Sequence, residues 1–134
     1  MADGLPPIYL TQGDMDKLLH LVDAYPGKRF EQLERELVRA HVVAREAIPA
    51  DVVTMNSRVV FEDEGTRERR EITLVYPGSA DIDSAKISVL TPVGTALLGL
   101  RVGQSIDWEL PGGAKRRYRI AAVPYQPEAA GEMQ

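Results

Sequence analysis

The sequence contains no cysteine. This absence excludes a disulfide scaffold, a thiol nucleophile, and any zinc or iron–sulfur site that depends on cysteine ligands. The amino-terminal stretch MADGLPPIYL has neither a basic segment nor a long apolar segment, so it does not resemble a secretory signal. Because chains that lack both features are typical of reducing compartments, we expect the protein in the cytoplasm.

Long apolar runs and an excess of positive charge are missing as well. No stretch approaches the roughly 20 apolar residues of a membrane span, so we expect no membrane association. The 16 basic and 20 acidic residues give a formal net charge of −4. A domain that holds nucleic acid by itself usually carries a basic stripe. We therefore expect a protein partner and no independent, sequence-specific binding of nucleic acid.

Residue types that carry chemistry are scarce. His20 and His41 are the two histidines, and no motif links them, which favours packed or exposed side chains over metal ligands. Aromatic residues make up 6% of the chain, so Trp108, in phase with Ile106 and Leu110, is predicted to pack in the core. No nucleophile–base pair, carboxylate pair or phosphate-binding loop is visible. The sequence thus predicts neither an enzyme nor a bound cofactor or metal.

The chain is organised around residues 86–113. Polar and apolar residues alternate from Lys86 to Val89, which predicts a strand. Thr91 and Pro92 mark a helix start, and Gly99 marks its end. The helix carries one apolar stripe, formed by Val93, Ala96, Leu97 and Leu100. A strand at residues 105–110 and a Pro-Gly-Gly turn follow, so one short helix is predicted between two strands of a sheet.

Residues 1–50 predict a helical hairpin. Thr11 or Asp14 can cap a helix that runs to about Ala24, and a second helix is expected from about Phe30 to Arg45. The second helix has the 3-4-3-4 spacing of a coiled-coil seam in Phe30, Leu33, Leu37, Ala40 and Ala44. Because the loop between the helices is short, they are expected to be antiparallel neighbours.

Residues 51–134 have the alternation of strands. About five antiparallel strands, one short helix and a polar tail after Tyr125 are predicted, which is an α+β arrangement. The chain is therefore expected to contain two parts, a helical hairpin at 1–50 and a sheet domain at 51–134.

Five contiguous runs carry a resemblance: DVVTMNSR (51–58), TLVYP (73–77), PVGTALLGLRVG (92–103), WELPGG (108–113) and YQPEAAG (125–131). They resemble the bacterial Rnk family, the regulators of nucleoside diphosphate kinase, which is similar to the Gre transcript-cleavage factors. The resemblance implies a short antiparallel coiled-coil hairpin followed by an FKBP-like antiparallel sheet with one short helix. It also implies binding to bacterial RNA polymerase near the secondary channel, in competition with Gre factors and without transcript cleavage. The link to nucleoside diphosphate kinase would be regulatory.

The expected hairpin tip bears on the alternative, a Gre-type stimulator of cleavage. In Gre factors, acidic residues at the tip of a long hairpin help to hold a catalytic magnesium ion. Here the hairpin is shorter, and the tip residues are Asp23, Tyr25, Lys28 and Arg29, with Glu31 just behind. A divalent cation needs convergent carboxylates and few positive neighbours. The tip therefore favours a regulator without cleavage; stimulation through Asp23 and Glu31 is the alternative, and an FKBP-type isomerase is a third possibility.

Basic residues supply the candidates for docking to the polymerase. These candidates are Arg101, Lys115, Arg116 and Arg117, and the last three form a basic cluster with Arg119. A second basic cluster comprises Arg67, Arg69 and Arg70. Either cluster can instead be a solvated sheet edge that discourages aggregation. We expect a monomer.

Overall fold

The computed structural model describes residues 6–25, 30–109 and 112–132. Within them lie the helices α1 (Gln12–Asp23), α2 (Glu31–Arg39) and α3 (Pro92–Leu97). The strands are β1 (Tyr9–Thr11), β2 (His41–Val43), β3 (Arg58–Asp63), β4 (Arg69–Val75), β5 (Lys86–Ser88), β6 (Ser105–Glu109) and β7 (Lys115–Tyr125). This is the predicted mixed α+β fold, with amino-terminal helices and a mostly antiparallel sheet. No described helix is both long and apolar enough to cross a bilayer.

Five of the strands form the main sheet, in the order β5-β4-β3-β7-β6. The expectation that all five would be antiparallel is wrong for β5, which runs parallel to β4 with Leu74 opposite Ile87. The reason lies in residues 76–85, which contain two 3-10 turns and carry the chain back along β4, so that β5 begins at Lys86 opposite Thr73. A parallel pair needs such a crossover, whereas a tight hairpin turn would have produced an antiparallel pair.

Helix α1 agrees with its prediction, whereas α2 is shorter than predicted. The Thr11 hydroxyl caps α1 by accepting a hydrogen bond of 3.1 Å from the backbone N–H of Asp14. Helix α2 was expected to reach Arg45 but ends at Arg39, and His41–Val43 instead pair in parallel with β1. The His41 N–H donates to the Ile8 carbonyl at 2.9 Å. A tertiary strand pairing with β-branched residues therefore replaces the last turns of the predicted helix.

The helical segment and the main sheet share one apolar core. Its cluster includes Leu18 of α1, Leu33 and Leu37 of α2, Val53, and Leu97 of α3. Helix α2 contacts both α1 and α3. The division of the chain at residue 50 stays a prediction, but the helices bury their apolar faces partly against the sheet domain.

Two glycines set the position of α3 and of the segment after it. A Cβ added to Gly94 would lie 2.2 Å from the carbonyl oxygen of Ser88, so the helix approaches β5 more closely than any side chain would allow. Gly99 has a φ of +80°, a conformation that glycine adopts without strain. Its N–H donates to the Val53 carbonyl at 2.8 Å, and its carbonyl accepts from the Tyr9 N–H at 3.0 Å. One residue thus joins β1 to the segment before β3.

Candidate docking groove

A groove of about 540 Å³ lies between the main sheet and the amino-terminal end of α3. Its apolar lining comprises Phe61, Ile72, Ile87, Pro92, Val93 and Tyr118. The rings of Phe61 and Tyr118 meet edge to face, with centroids 5.1 Å apart. An apolar lining with a few polar groups at the rim is typical of binding sites. Sequence analysis did not assign the apolar lining to a site, because alternating strand residues give the same signal whether they face a core or a groove.

The rim of the groove is charged. The rim is lined by Asp63, Glu68, Arg70 and Arg116. The Arg116 Nε lies 3.8 Å from a carboxylate oxygen of Asp63. Asp63 and Arg116 also line a second, more open concavity of about 600 Å³ beside Trp108 and Lys115. This ion pair is thus part of the lining of both depressions.

The structure brings three of the four basic docking candidates together. Lys115, Arg116 and Arg117 are exposed at the start of β7, opposite the end of β6. Arg117 donates to Asp107 at 2.8 Å and lies 3.4 Å from Glu64. The hydrogen bond that Arg117 donates to Asp107 contributes most to raising the pKa of the Arg117 guanidinium. These cations therefore form a surface of alternating charge rather than a purely positive patch.

Arg101 lies apart from the other three candidates. It precedes β6, whereas Lys115–Arg117 lie beside the end of that strand. Its Nε and Nη2 donate to the two carboxylate oxygens of Asp51 at 3.0 and 3.3 Å. Its backbone N–H donates to Gln104 at 2.7 Å. This bidentate pair joins residues 44–57, the linker between β2 and β3, to the turn before β6, so the structure gives Arg101 a connecting role.

The hairpin-tip candidates fall at the facing ends of α1 and α2. Asp23 is the last residue of α1 and Glu31 the first of α2, and both are exposed. Tyr25 is 39% exposed, and its ring meets Phe30 edge to face at 5.5 Å. The candidates at positions 28 and 29 lie outside the described residues. In the ranges that the structure describes, no group of three or more His, Asp or Glu side chains is arranged to hold a metal ion.

Sequence analysis singled out three further residues, Trp108, His41 and His20. Trp108 is 8% exposed and belongs to the apolar core, as predicted. His41 is exposed and stacks on Tyr9 with ring centroids 5.3 Å apart. His20 is exposed on α1.

The second basic cluster surrounds a buried acid that sequence analysis missed. Glu62 is 5% exposed and receives hydrogen bonds from Arg69 at 3.0 Å and Arg119 at 3.1 Å. Arg67 lies 3.5 Å from the same carboxylate. The bond from Arg69 is the main cause that holds the pKa of Glu62 below its usual range. Arg67 and Arg69 therefore share one anion at the β3–β4 turn.

Within residues 126–132, the described part of the predicted polar tail, two polar side chains contact the linker. Gln126 is 3% exposed, and its amide donates to the carbonyls of Pro49 and Val52 at 2.8 and 2.9 Å. Glu128 accepts a hydrogen bond of 2.7 Å from the Thr54 hydroxyl. The sequence predicted this segment only as a polar tail, and the structure shows that its polar groups satisfy backbone and hydroxyl groups of the linker.

Comparison with known proteins assigns the two parts of the chain separately. Residues 6–43 match the family description "Rnk N-terminus", and residues 48–125 match "Transcription elongation factor, GreA/GreB, C-term". The "Regulator of nucleoside diphosphate kinase" of Escherichia coli strain K12 is 45% identical over 130 residues, which cover 95% of this chain and 96% of that protein. The chain belongs to the Rnk family.

The Rnk family is in turn related to the Gre factors. "Transcription elongation factor GreA" of Mesorhizobium japonicum is 36% identical over 97 residues, which cover 72% of this chain and 61% of that protein. Among solved structures, "Prokaryotic transcription elongation factor GreA/GreB from Nitrosomonas europaea" is 45% identical, with a TM-score of 0.72 over 90% of this chain and 100% of that one. The structure titled "Structure of the transcription factor Gfh1" is 23% identical with a TM-score of 0.51 and shows the fold alone. The relatives named here are regulators and elongation factors.

Proposed function

We propose that this Rnk-family protein binds bacterial RNA polymerase near its secondary channel and competes there with Gre factors without stimulating transcript cleavage. The observation that carries the proposal is the match of residues 48–125 to the carboxy-terminal part of GreA and GreB. Any effect on nucleoside diphosphate kinase would follow from altered transcription.

The groove of the sheet domain is the proposed docking surface. Its apolar lining can bury a protein side chain, and the alternating charges of Asp63, Arg70 and Arg116 can fix the orientation of a partner. Lys115 and Arg117 extend this charged rim, whereas Arg101 is bound to Asp51 elsewhere.

The dimensions and charge of the helical arms support the absence of cleavage. Helices α1 and α2 contain 12 and 9 residues, which at ~1.5 Å per residue gives arms of about 18 and 14 Å. Arms of this length limit how far the tip extends from the docking surface. Asp23 and Glu31 are the two carboxylates that flank the tip, and Lys28 and Arg29 lie between them in sequence. Repulsion from these cations opposes the binding of a magnesium ion.

Competition with a Gre factor tests this function. Stalled elongation complexes that contain a Gre factor are titrated with the protein while cleaved transcript and direct polymerase binding are measured. We expect cleavage to fall as the protein binds, and no cleavage with the protein alone. Cleavage that requires Asp23 and Glu31 would instead establish the Gre-type alternative, and failure to bind polymerase would overturn both.

A pair of variants locates the docking surface. Val93→Glu places a charge in the groove and is expected to weaken polymerase binding by at least tenfold, because the carboxylate must be desolvated. Ile82→Glu is the control, since Ile82 is 85% exposed and does not line the groove. Equal loss of binding in both variants, or in neither, would contradict the groove assignment.

A further inference from the structure

Helix α1 meets the sheet domain through a buried carboxylate. Asp14 is 4% exposed although it lies in the first turn of the helix. One of its oxygens accepts a hydrogen bond of 3.2 Å from the Met55 N–H, and the other accepts one of 3.3 Å from the Tyr76 hydroxyl. Met55 precedes β3 and Tyr76 follows β4. A single side chain therefore connects α1 to two segments of the sheet domain.

The surroundings of Asp14 include charges of both signs. Glu128 faces it from the carboxy-terminal segment, and Lys17 faces it from the next turn of α1. Glu128 is in turn held by Thr54 at 2.7 Å and lies 3.8 Å from Arg45. Burial raises the pKa of Asp14 to about 6, and Glu128 adds to the rise, while the Met55 N–H, the Tyr76 hydroxyl and Lys17 act in the opposite direction.

We propose that Asp14 is a proton-controlled joint: its protonated form holds α1 against the sheet domain, and its ionised form lets α1 open more readily. The physical reason is that a carboxylate is poorly solvated in this site, where two hydrogen-bond donors replace bulk water. When α1 opens, water can again solvate the ionised carboxylate of Asp14. The joint is a property of the free protein and does not depend on the proposed polymerase partner.

The direction of the pH effect follows from proton linkage. Ionised Asp14 is disfavoured when buried, since its pKa rises from 3.8 to about 6 on folding. The stabilisation from its proton is complete below about pH 4 and is lost as the pH rises through 6. A difference of about two pH units corresponds to roughly a 100-fold change in the opening equilibrium.

Hydrogen exchange measures the opening directly. Amide exchange of α1 is followed from pH 5 to pH 7.5 and corrected for the intrinsic pH dependence of exchange. We expect the corrected opening constant of the α1 amides to rise at least tenfold over this range, with a midpoint near 6. In Asp14→Asn, which cannot ionise, the pH dependence should disappear. Asp16→Asn is the matched control, because Asp16 is exposed on the same helix, and it should behave like the parent.

A second variant tests the joint without removing the carboxyl group. Tyr76→Phe deletes a donor to the ionised form, so the midpoint should move to higher pH. This variant decides the matter if Asp14→Asn does not fold. A transition that persists in Asp14→Asn would have to arise from another group and would overturn the proposal. So would opening of α1 that is independent of pH in the parent protein.

Discussion

Two helical glycines lie in opposite environments. Gly13, in the first turn of α1, has no atom within 4 Å of the position that a Cβ would occupy. Gly94, in α3, has the Ser88 carbonyl oxygen 2.2 Å from that position and further backbone atoms of Ser88 and Val89 at 3.0 Å. A glycine is therefore needed in α3 for a close backbone approach, whereas no close contact requires a glycine in α1.

The same substitution is expected to have opposite effects at the two sites. Gly13→Ala should raise the free energy of unfolding by about 0.5–1 kcal/mol, because alanine loses less backbone entropy in a helix. Gly94→Ala should lower it by about 1–3 kcal/mol, because α3 must move away from β5. Chemical denaturation of both variants gives the two values. Unchanged stability of Gly94→Ala would contradict the packing described for α3, and destabilisation by Gly13→Ala would contradict the open site described for Gly13.

The buried acids show where sequence patterns stop being informative. Glu62 alternates with Phe61 as an outward-facing strand residue should, yet it is buried because arginines from β4, β7 and the turn cover it. Asp14 was predicted as a possible helix cap, and its buried contacts with Met55 and Tyr76 depend on residues more than forty positions away. No local pattern encodes such partners.

At the scale of elements, local signals predicted those elements whose ends are fixed by their own residues. The Thr11 and Thr91 caps and the glycine after α3 placed α1 and α3 correctly. Helix α2 was extended too far, because Ala40 and Ala44 continue its apolar spacing while the backbone of His41–Val43 bonds to β1. The groove was not predicted for a related reason. The sequence shows which positions are apolar, but it does not show which surface those side chains face.

Helix α2 is held mainly by the face that it buries. Leu37 is 5% exposed, whereas the neighbouring Val38 is 88% exposed. We expect Leu37→Ala to lower the free energy of unfolding by about 2–5 kcal/mol through loss of burial and creation of a cavity. Val38→Ala should change it by less than about 0.5 kcal/mol. Urea denaturation of the pair checks this difference, and a small effect at Leu37 would mean that α2 is not seated in the core.

At the scale of the whole molecule, one apolar cluster includes the amino-terminal helices and the main sheet. The polar contacts agree with this arrangement, since Asp14 joins α1 to Met55 and Gln126 joins the carboxy-terminal segment to the linker. Shared burial of this kind makes partial unfolding costly, because each part would expose apolar surface that the other covers.

The protein is therefore expected to unfold in a single transition. The sequence contains one tryptophan, Trp108, which lies in β6 and reports on the sheet. Far-ultraviolet circular dichroism near 222 nm reports mainly on the helices. The midpoints from tryptophan fluorescence and from circular dichroism should coincide in a thermal melt. Two separate transitions would instead indicate that residues 1–50 and 51–134 unfold as independent units.

The backbone bonds of Gly99 have a consequence for synthesis on the ribosome. Strand β1 lies near the amino terminus, yet its Tyr9 N–H is bonded to a carbonyl ninety positions later in the chain. The first helices are translated early and cannot take their final positions until residue 99 has emerged. Pairings of such long sequence separation form slowly. Until then, the apolar faces of the amino-terminal helices lack the sheet-domain surface that covers them in the folded protein.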